Sequence, residues 1–188
     1  RYTPDVEEYG IDECFADLTG WQRPFHMSYE KIAEKIQSDL AREMGFTFSI
    51  GLASTKVLAK LGSKWKKPHG LTAIPNKRIH HYLAELPIDK PWGIGPQTSA
   101  LLRKYGVHTC LDFVHRDEAW VEKYFPKPIQ EIWSELRGQS VMPLLTEPRR
   151  DHASIQKMKT FTPPSNDPRF VFAQLCKNIE AACMKARG

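Results

Sequence analysis

The chain has 188 residues, 41% of them hydrophobic and 26% charged, with a formal net charge of +5. That length builds one sizeable core or two small ones, and the composition is that of a globular protein, which excludes a disordered chain. No run of about 18 apolar residues occurs, so no membrane association is expected, and Arg1 to Asp5 carries no signal-peptide pattern.

Tyr9 to Leu18 reads as a strand or hairpin arm entering a turn at Thr19-Gly20. Within it, Ile11-Asp12-Glu13 sets two adjacent carboxylates in an apolar strand, where burial is costly unless they are paired or bind metal. Successive side chains of a strand point to opposite faces, so the strand must bend or end beside Gly10 if both are to reach one metal pair. An exposed acidic edge strand is the other reading. Ser28 is a helix N-cap; Tyr29, Ile32, Ala33, Ile36, Leu40 and Met44 follow at helical spacing, and Gly45 ends the helix. Phe46 to Ala53 is apolar and β-prone. Thr55 to Lys66 is helical, with Val57, Leu58 and Leu61 as its apolar stripe, and Pro68-His69-Gly70 stops it. Leu71 to Ile74 is a short strand. This order predicts an α+β layer, a sheet with helices on one face.

Charge is unevenly placed. Residues 1–20 carry six acids against one base, whereas residues 56–78 carry seven bases and no acid. Such a juxtaposition suits a site that holds metal ions and phosphates together. Lys56 and Lys60 share a helix face, and Lys67 precedes the helix-breaking Pro68; a solvated basic face is the plainer alternative.

From Asn76 to about Leu145 the signals turn helical and short, which predicts an all-helical subdomain. In it, Pro91-Trp92-Gly93-Ile94-Gly95-Pro96-Gln97-Thr98 lies between helices expected over 79–86 and 97–105, with Ala100, Leu101 and Leu102 facing inward. Gly-Ile-Gly between two short helices is the helix-hairpin-helix pattern. The glycines let the backbone approach a phosphate, the amides opening the second helix donate to it, and Ile94 plugs the core. A plain turn that needs glycine is the competing reading. Residues 147–153 read as a linker, 154–161 as a strand and 168–187 as an amphipathic helix. The four cysteines and seven histidines show no zinc spacing, and no nucleophilic triad is evident.

Taken in order, Tyr9 to Thr19, Ser49-Ile50-Gly51-Leu52-Ala53-Ser54-Thr55-Lys56-Val57-Leu58-Ala59-Lys60, Lys67-Pro68-His69-Gly70 and Trp92-Gly93-Ile94-Gly95 resemble the motifs of the Y-family, lesion-bypass DNA polymerases, closest to the DNA polymerase IV type. Ser154-Ile155 and Lys159-Thr160-Phe161 resemble the entry to that family's little-finger domain. The resemblance implies part of a catalytic palm over 1–75 and a helical thumb with a helix-hairpin-helix over 76–146. After the 147–153 linker, it implies the start of an α/β little finger over 154–188. It implies Asp12 and Glu13 as catalytic ligands of two Mg²⁺ ions, Lys67 on the nucleotide triphosphate, and Lys56, Lys60, Gly93, Ile94, Gly95 and Thr98 on DNA. The implied reaction is template-directed transfer of deoxynucleotides to a primer 3′ hydroxyl past damaged bases. Its partners are primer-template DNA, a deoxynucleoside triphosphate and a sliding clamp, in the bacterial cytoplasm with the nucleoid, or in a nucleus. Gly10 stands where the family has serine, and His69 where it has asparagine. The family's first palm strand, its fingers and most of its little finger have no counterpart here, so the chain alone is expected to be inactive. The rival functions are a non-catalytic helix-hairpin-helix DNA-binding module, another palm-type nucleotidyl transferase or cyclase, and a basic protein-interaction subunit.

Overall fold

The computed structural model describes residues 2–147 and 156–187. Strands β1 (Val6–Glu8) and β2 (Cys14–Ala16) form an antiparallel hairpin, with Val6 opposite Ala16 and Glu8 opposite Cys14. The backbone amides of Tyr9 and Gly10 both donate to the Glu13 carbonyl at 3.0 Å. That shared acceptor closes the hairpin early. Ile11-Asp12-Glu13 therefore occupies the connecting loop, not a strand as the sequence suggested, and Ile11 is fully exposed.

After the short helix α1 (Gln22–Phe25), α2 (Tyr29–Met44) starts where Ser28 Oγ accepts from the Lys31 amide at 3.3 Å. It ends at Gly45, whose φ of 73° is left-handed. Ile32 and Ala33 are buried, but Met44 runs past the core and is exposed. Gln37 donates through Nε2 to the carbonyls of Phe48 (2.8 Å) and Gly70 (3.1 Å). The strand expected from Phe46 consequently shortens to β3 (Ile50–Ala53), because the preceding backbone is held by a side chain instead of a ladder. Phe46 itself is exposed.

Strand β3 pairs in parallel with β4 (Leu71–Ile74) across α3 (Lys56–Trp65). Thr55 Oγ1 caps α3 by accepting from the Leu58 amide at 3.3 Å. Strand and helix approach so closely at Gly51 that a Cβ there would lie 1.8 Å from the Ala59 carbonyl oxygen. Where a single sheet was expected, the described strands form two separate two-stranded ladders. Pairing stops at β2 on one side and at β3 on the other.

A 3₁₀ turn (Asn76–Arg78) leads into α4 (Ile79–Ala84), α5 (Pro96–Lys104), α6 (Cys110–Val114), α7 (Glu118–Tyr124) and α8 (Lys127–Leu136). One apolar core takes Val57, Leu58 and Ile74 from the first part together with Leu83, Leu102, Phe113 and Leu136 from the helices and Ile88 from the connection after α4. The core thus runs straight across residue 75. Helix α5 buries Ser99 and Leu102, whereas Ala100 and Leu101 are exposed, contrary to expectation. Its phase follows from the buried Ile94 and from Gly95 as N-cap, which turn the 99/102 edge inward.

Residues 1–146 and 147–188 form two separate compact units. In the second, α9 spans Pro168–Arg187, and the Phe161 ring meets Phe170 edge-on at 5.3 Å. Of the strand expected over 154–161, residues 154 and 155 lie outside the described residues, and 156–161 form no strand. Residues 148–153 of the expected linker also lie outside them. Among the described residues, no helix is long and apolar enough to cross a membrane.

Candidate active site and nucleic-acid interface

Helix α3 lies beneath the β1–β2 hairpin and meets it through two lysines one turn apart. Lys56 Nζ donates to Glu7 Oε2 at 2.6 Å and to the Pro143 carbonyl at 3.2 Å, and it stands 5.0 Å from the centre of the Phe15 ring. Lys60 Nζ pairs with Glu13 and lies 5.1 Å from the centre of the Tyr9 ring. A buried ammonium is tolerated only with such partners. Both lysines expected on DNA are thus turned inward onto hairpin carboxylates; the Lys60 side chain is 9% exposed and Glu13 is 40% exposed. Asp12, next to Glu13 in the loop, is exposed.

The Lys60 hydrogen bond, with the further attraction of Lys60, Lys64 and Lys67, holds the Glu13 carboxyl below its ordinary range against the opposing effect of burial. Lys67 is exposed just beyond the end of α3, within electrostatic reach of the loop. Beside the hairpin, a cleft of about 620 Å³ opens between β2 and β3, lined by Phe15, Asp17, Tyr29, Leu52 and Asn76 among others.

The loop between α4 and α5 reaches the same place. Trp92 donates its indole N–H to the Tyr9 hydroxyl at 2.9 Å, and its ring lies 5.0 Å from Tyr9 and 5.7 Å from Phe15. The next residue, Gly93, has φ of 89°, and a Cβ there would come within 2.5 Å of Ile132 Cδ1. Only glycine fits this turn. Ile94 is buried, Gly93 and Gly95 are exposed, and Thr98 is half-buried in the first turn of α5. Every candidate site residue expected from the sequence therefore has a defined position. Asp12, Glu13, Lys56, Lys60 and Lys67 gather around the hairpin, and Gly93 to Thr98 follow the tryptophan that touches it.

Four residues that hold this arrangement had no role assigned from the sequence: Glu7, Tyr9 and Trp92, which lie in the acidic segment or the quoted motifs, and Glu135. Glu135 of α8 is fully buried. It accepts from the Val57 amide (3.2 Å) through Oε2 and from the Val141 (2.9 Å) and Met142 (3.0 Å) amides through Oε1. These contacts span 78, 6 and 7 positions, and only the shorter pair had any chance of being read locally.

Asp12 and Glu13 offer hard carboxylate oxygens, side by side on an accessible loop, a donor set that fits a divalent cation such as Mg²⁺. Among the described residues, no group of three or more His, Cys, Asp or Glu side chains comes together as a metal site.

Residues 1–64 match the impB/mucB/samB family. The chain is 35% identical over 167 residues to the DNA polymerase IV of Clostridium kluyveri, covering 89% of this chain and 42% of that protein. It is 33% identical over 180 residues to the DNA polymerase IV of Streptococcus pyogenes, covering 96% of this chain and 49% of that one. The chain thus spans about half the length of the curated relatives it matches. Among solved structures, DinB from Sulfolobus solfataricus matches at a TM-score of 0.59 and 26% identity, over 72% of this chain and 40% of that one. A Y-family DNA polymerase chimera shares the fold at a TM-score of 0.75 and 23% identity, over 98% of this chain and 53% of that one.

Proposed function

We propose that this chain, a relative of the Y-family DNA polymerases of the DNA polymerase IV type, is the part of a translesion DNA polymerase that carries catalytic carboxylates and grips the duplex. The convergence of the Asp12-Glu13 loop, the α3 lysines and the turn after Trp92 on one hairpin carries this reading. Residues 1–75 act as palm, 76–146 as thumb, and 154–188 as the start of the little finger.

In this reading Asp12 and Glu13 hold divalent cations, two Mg²⁺ ions in the working enzyme. Held there, such ions would supply a lower pKa for the primer 3′ hydroxyl and neutralising charge for the triphosphate and the leaving pyrophosphate. Glu13 is ionised at neutral pH as an ordinary glutamate is, and the neighbouring lysines hold its carboxyl lower still. Lys67, exposed and near the loop, meets the triphosphate as a point charge. Lys56 and Lys60, turned inward onto Glu7 and Glu13, supply positive field to the loop from the protein side. The exposed backbone of Gly93 and Gly95 and the opening amides of α5 at Gln97 and Thr98 take phosphates of the duplex without reading sequence, while Ile94 anchors the turn. The substrates are primer-template DNA and a deoxynucleoside triphosphate, and the compartment is the one that holds the DNA, the cytoplasm in a bacterium.

Fluorescence anisotropy of a labelled primer-template across a salt series tests the grip. The logarithm of affinity should fall linearly with that of salt, by about 0.9 for each phosphate contacted, and change little with DNA sequence. Absence of binding at the lowest salt would remove the duplex-gripping role from the 93–98 turn.

A further inference from the structure

We propose that Lys60 is a place-holding counter-ion: it occupies Glu13 until a divalent cation displaces it from the loop. The inference rests on the reading of Asp12 and Glu13 as metal ligands, and it adds a positioning role for Lys60 that is opposite in sign to simple support.

Lys60 sits in the middle of α3 with its side chain almost wholly buried, so its ammonium needs a local anion. Glu13 is that anion, and the Tyr9 ring face covers another side of the ammonium. Glu13, by contrast, is open to solvent on its outer side, and Asp12 beside it is exposed. A cation arriving from solvent would therefore reach both carboxylates without crossing the protein. It would then stand next to an ammonium that already neutralises one of them. Two positive groups sharing one carboxylate repel, so cation and Lys60 compete for Glu13.

The loop does not depend on Lys60 for its shape. The Tyr9 and Gly10 amides close it on the Glu13 carbonyl, and the β1–β2 ladder holds its ends. Displacing the ammonium would leave the two carboxylates where they stand. Lys56 differs in kind. Its partner Glu7 is buried and also accepts from the Leu145 amide at 2.9 Å, so that pair ties the hairpin to the chain after α8. Lys56 thus serves as an internal control.

The test is Mn²⁺ binding by the whole chain, read from water-proton relaxation, for the unaltered protein and for Lys60→Met, Asp12→Asn and Glu13→Gln. Removing the competing charge should tighten Mn²⁺ binding of Lys60→Met by roughly tenfold. Asp12→Asn and Glu13→Gln should weaken it. Unchanged or weaker binding by Lys60→Met, with the carboxylate variants still weakened, overturns the place-holder role and leaves the metal reading standing. Mn²⁺ binding that ignores Asp12→Asn and Glu13→Gln overturns both. A measurement on the unaltered chain guards against a variant that does not fold. Amine acetylation followed by mass spectrometry should show Lys60 modified several-fold faster with Mg²⁺ than without, and Lys56 unaffected. Equal rates at Lys60 would overturn the proposal.

Discussion

Trp92 and Tyr9, 83 positions apart, are joined by an indole N–H to hydroxyl hydrogen bond of 2.9 Å. Tyr9 begins the carboxylate loop, and Trp92 begins the turn of Gly93 and Gly95. The two proposed functional elements thus share one polar contact within an aromatic cluster that includes Phe15. Trp92→Phe and Tyr9→Phe each delete this bond while keeping most of the packing. Each should cost about 0.5–1.5 kcal/mol in urea unfolding, the usual net value of one hydrogen bond. The double variant should cost less than the sum of the two, because both changes remove the same interaction. Strict additivity would show that the bond contributes nothing in solution.

Glu135 is a second joint, between α8 and the start of α3. Its carboxylate accepts from three backbone amides, one of them in the first turn of α3, where the helix dipole favours a negative charge. Its own carbonyl accepts from Thr55 Oγ1 at 2.9 Å. Glu135→Ala strands the buried Val57 amide, at about 1–3 kcal/mol for an unsatisfied buried group, and frees the part-buried Val141 and Met142 amides to water, so a loss of about 1–3 kcal/mol or somewhat more is expected. Glu135→Gln keeps an acceptor for Val141 and Met142 but turns a donor toward the Val57 amide, and should fall between. Guanidinium unfolding of the three proteins decides the order; an alanine variant as stable as the glutamine variant would contradict it.

Much of this architecture was legible from local chemistry. Ser28, Thr55 and Gly45 mark helix ends because capping depends on residues within one turn, and the α3 stripe of Val57, Leu58 and Leu61 is buried as its spacing required. Other parts depended on distant partners. The strand at Phe46 was lost to the Gln37 side chain, and the Asp12-Glu13 strand became a loop through a carbonyl that accepts two amides. Lys56 and Lys60 showed the correct helix face in the sequence. What that face would meet, Glu7 and Glu13, lay about 50 residues upstream, and no periodicity links the two segments.

Asp112 offers a pH test of the helical part. Its carboxylate accepts from the Thr109 amide at 2.8 Å and the His108 amide at 3.0 Å, while Thr109 Oγ1 accepts from the Asp112 amide at 3.1 Å, a reciprocal capping box at the start of α6. The Thr109 amide bond, followed by the His108 bond and the Thr109 hydroxyl and set against partial burial, holds the Asp112 carboxyl below its ordinary range. A depressed folded-state pKa means that the ionised form stabilises the fold. That stabilisation is complete above the unfolded aspartate value of about 3.9 and disappears as pH falls through the lower folded value. At pH 7 the unaltered protein should therefore exceed Asp112→Asn in stability by about 0.3–1 kcal/mol, the usual worth of a negative charge in the first turn of a helix. The gap should narrow below about pH 4 and close once the carboxyl is protonated in both states. Paired thermal unfolding curves between neutral and acid pH measure it. A gap independent of pH would mean that the cap works through its geometry alone and that the Asp112 charge adds nothing to α6.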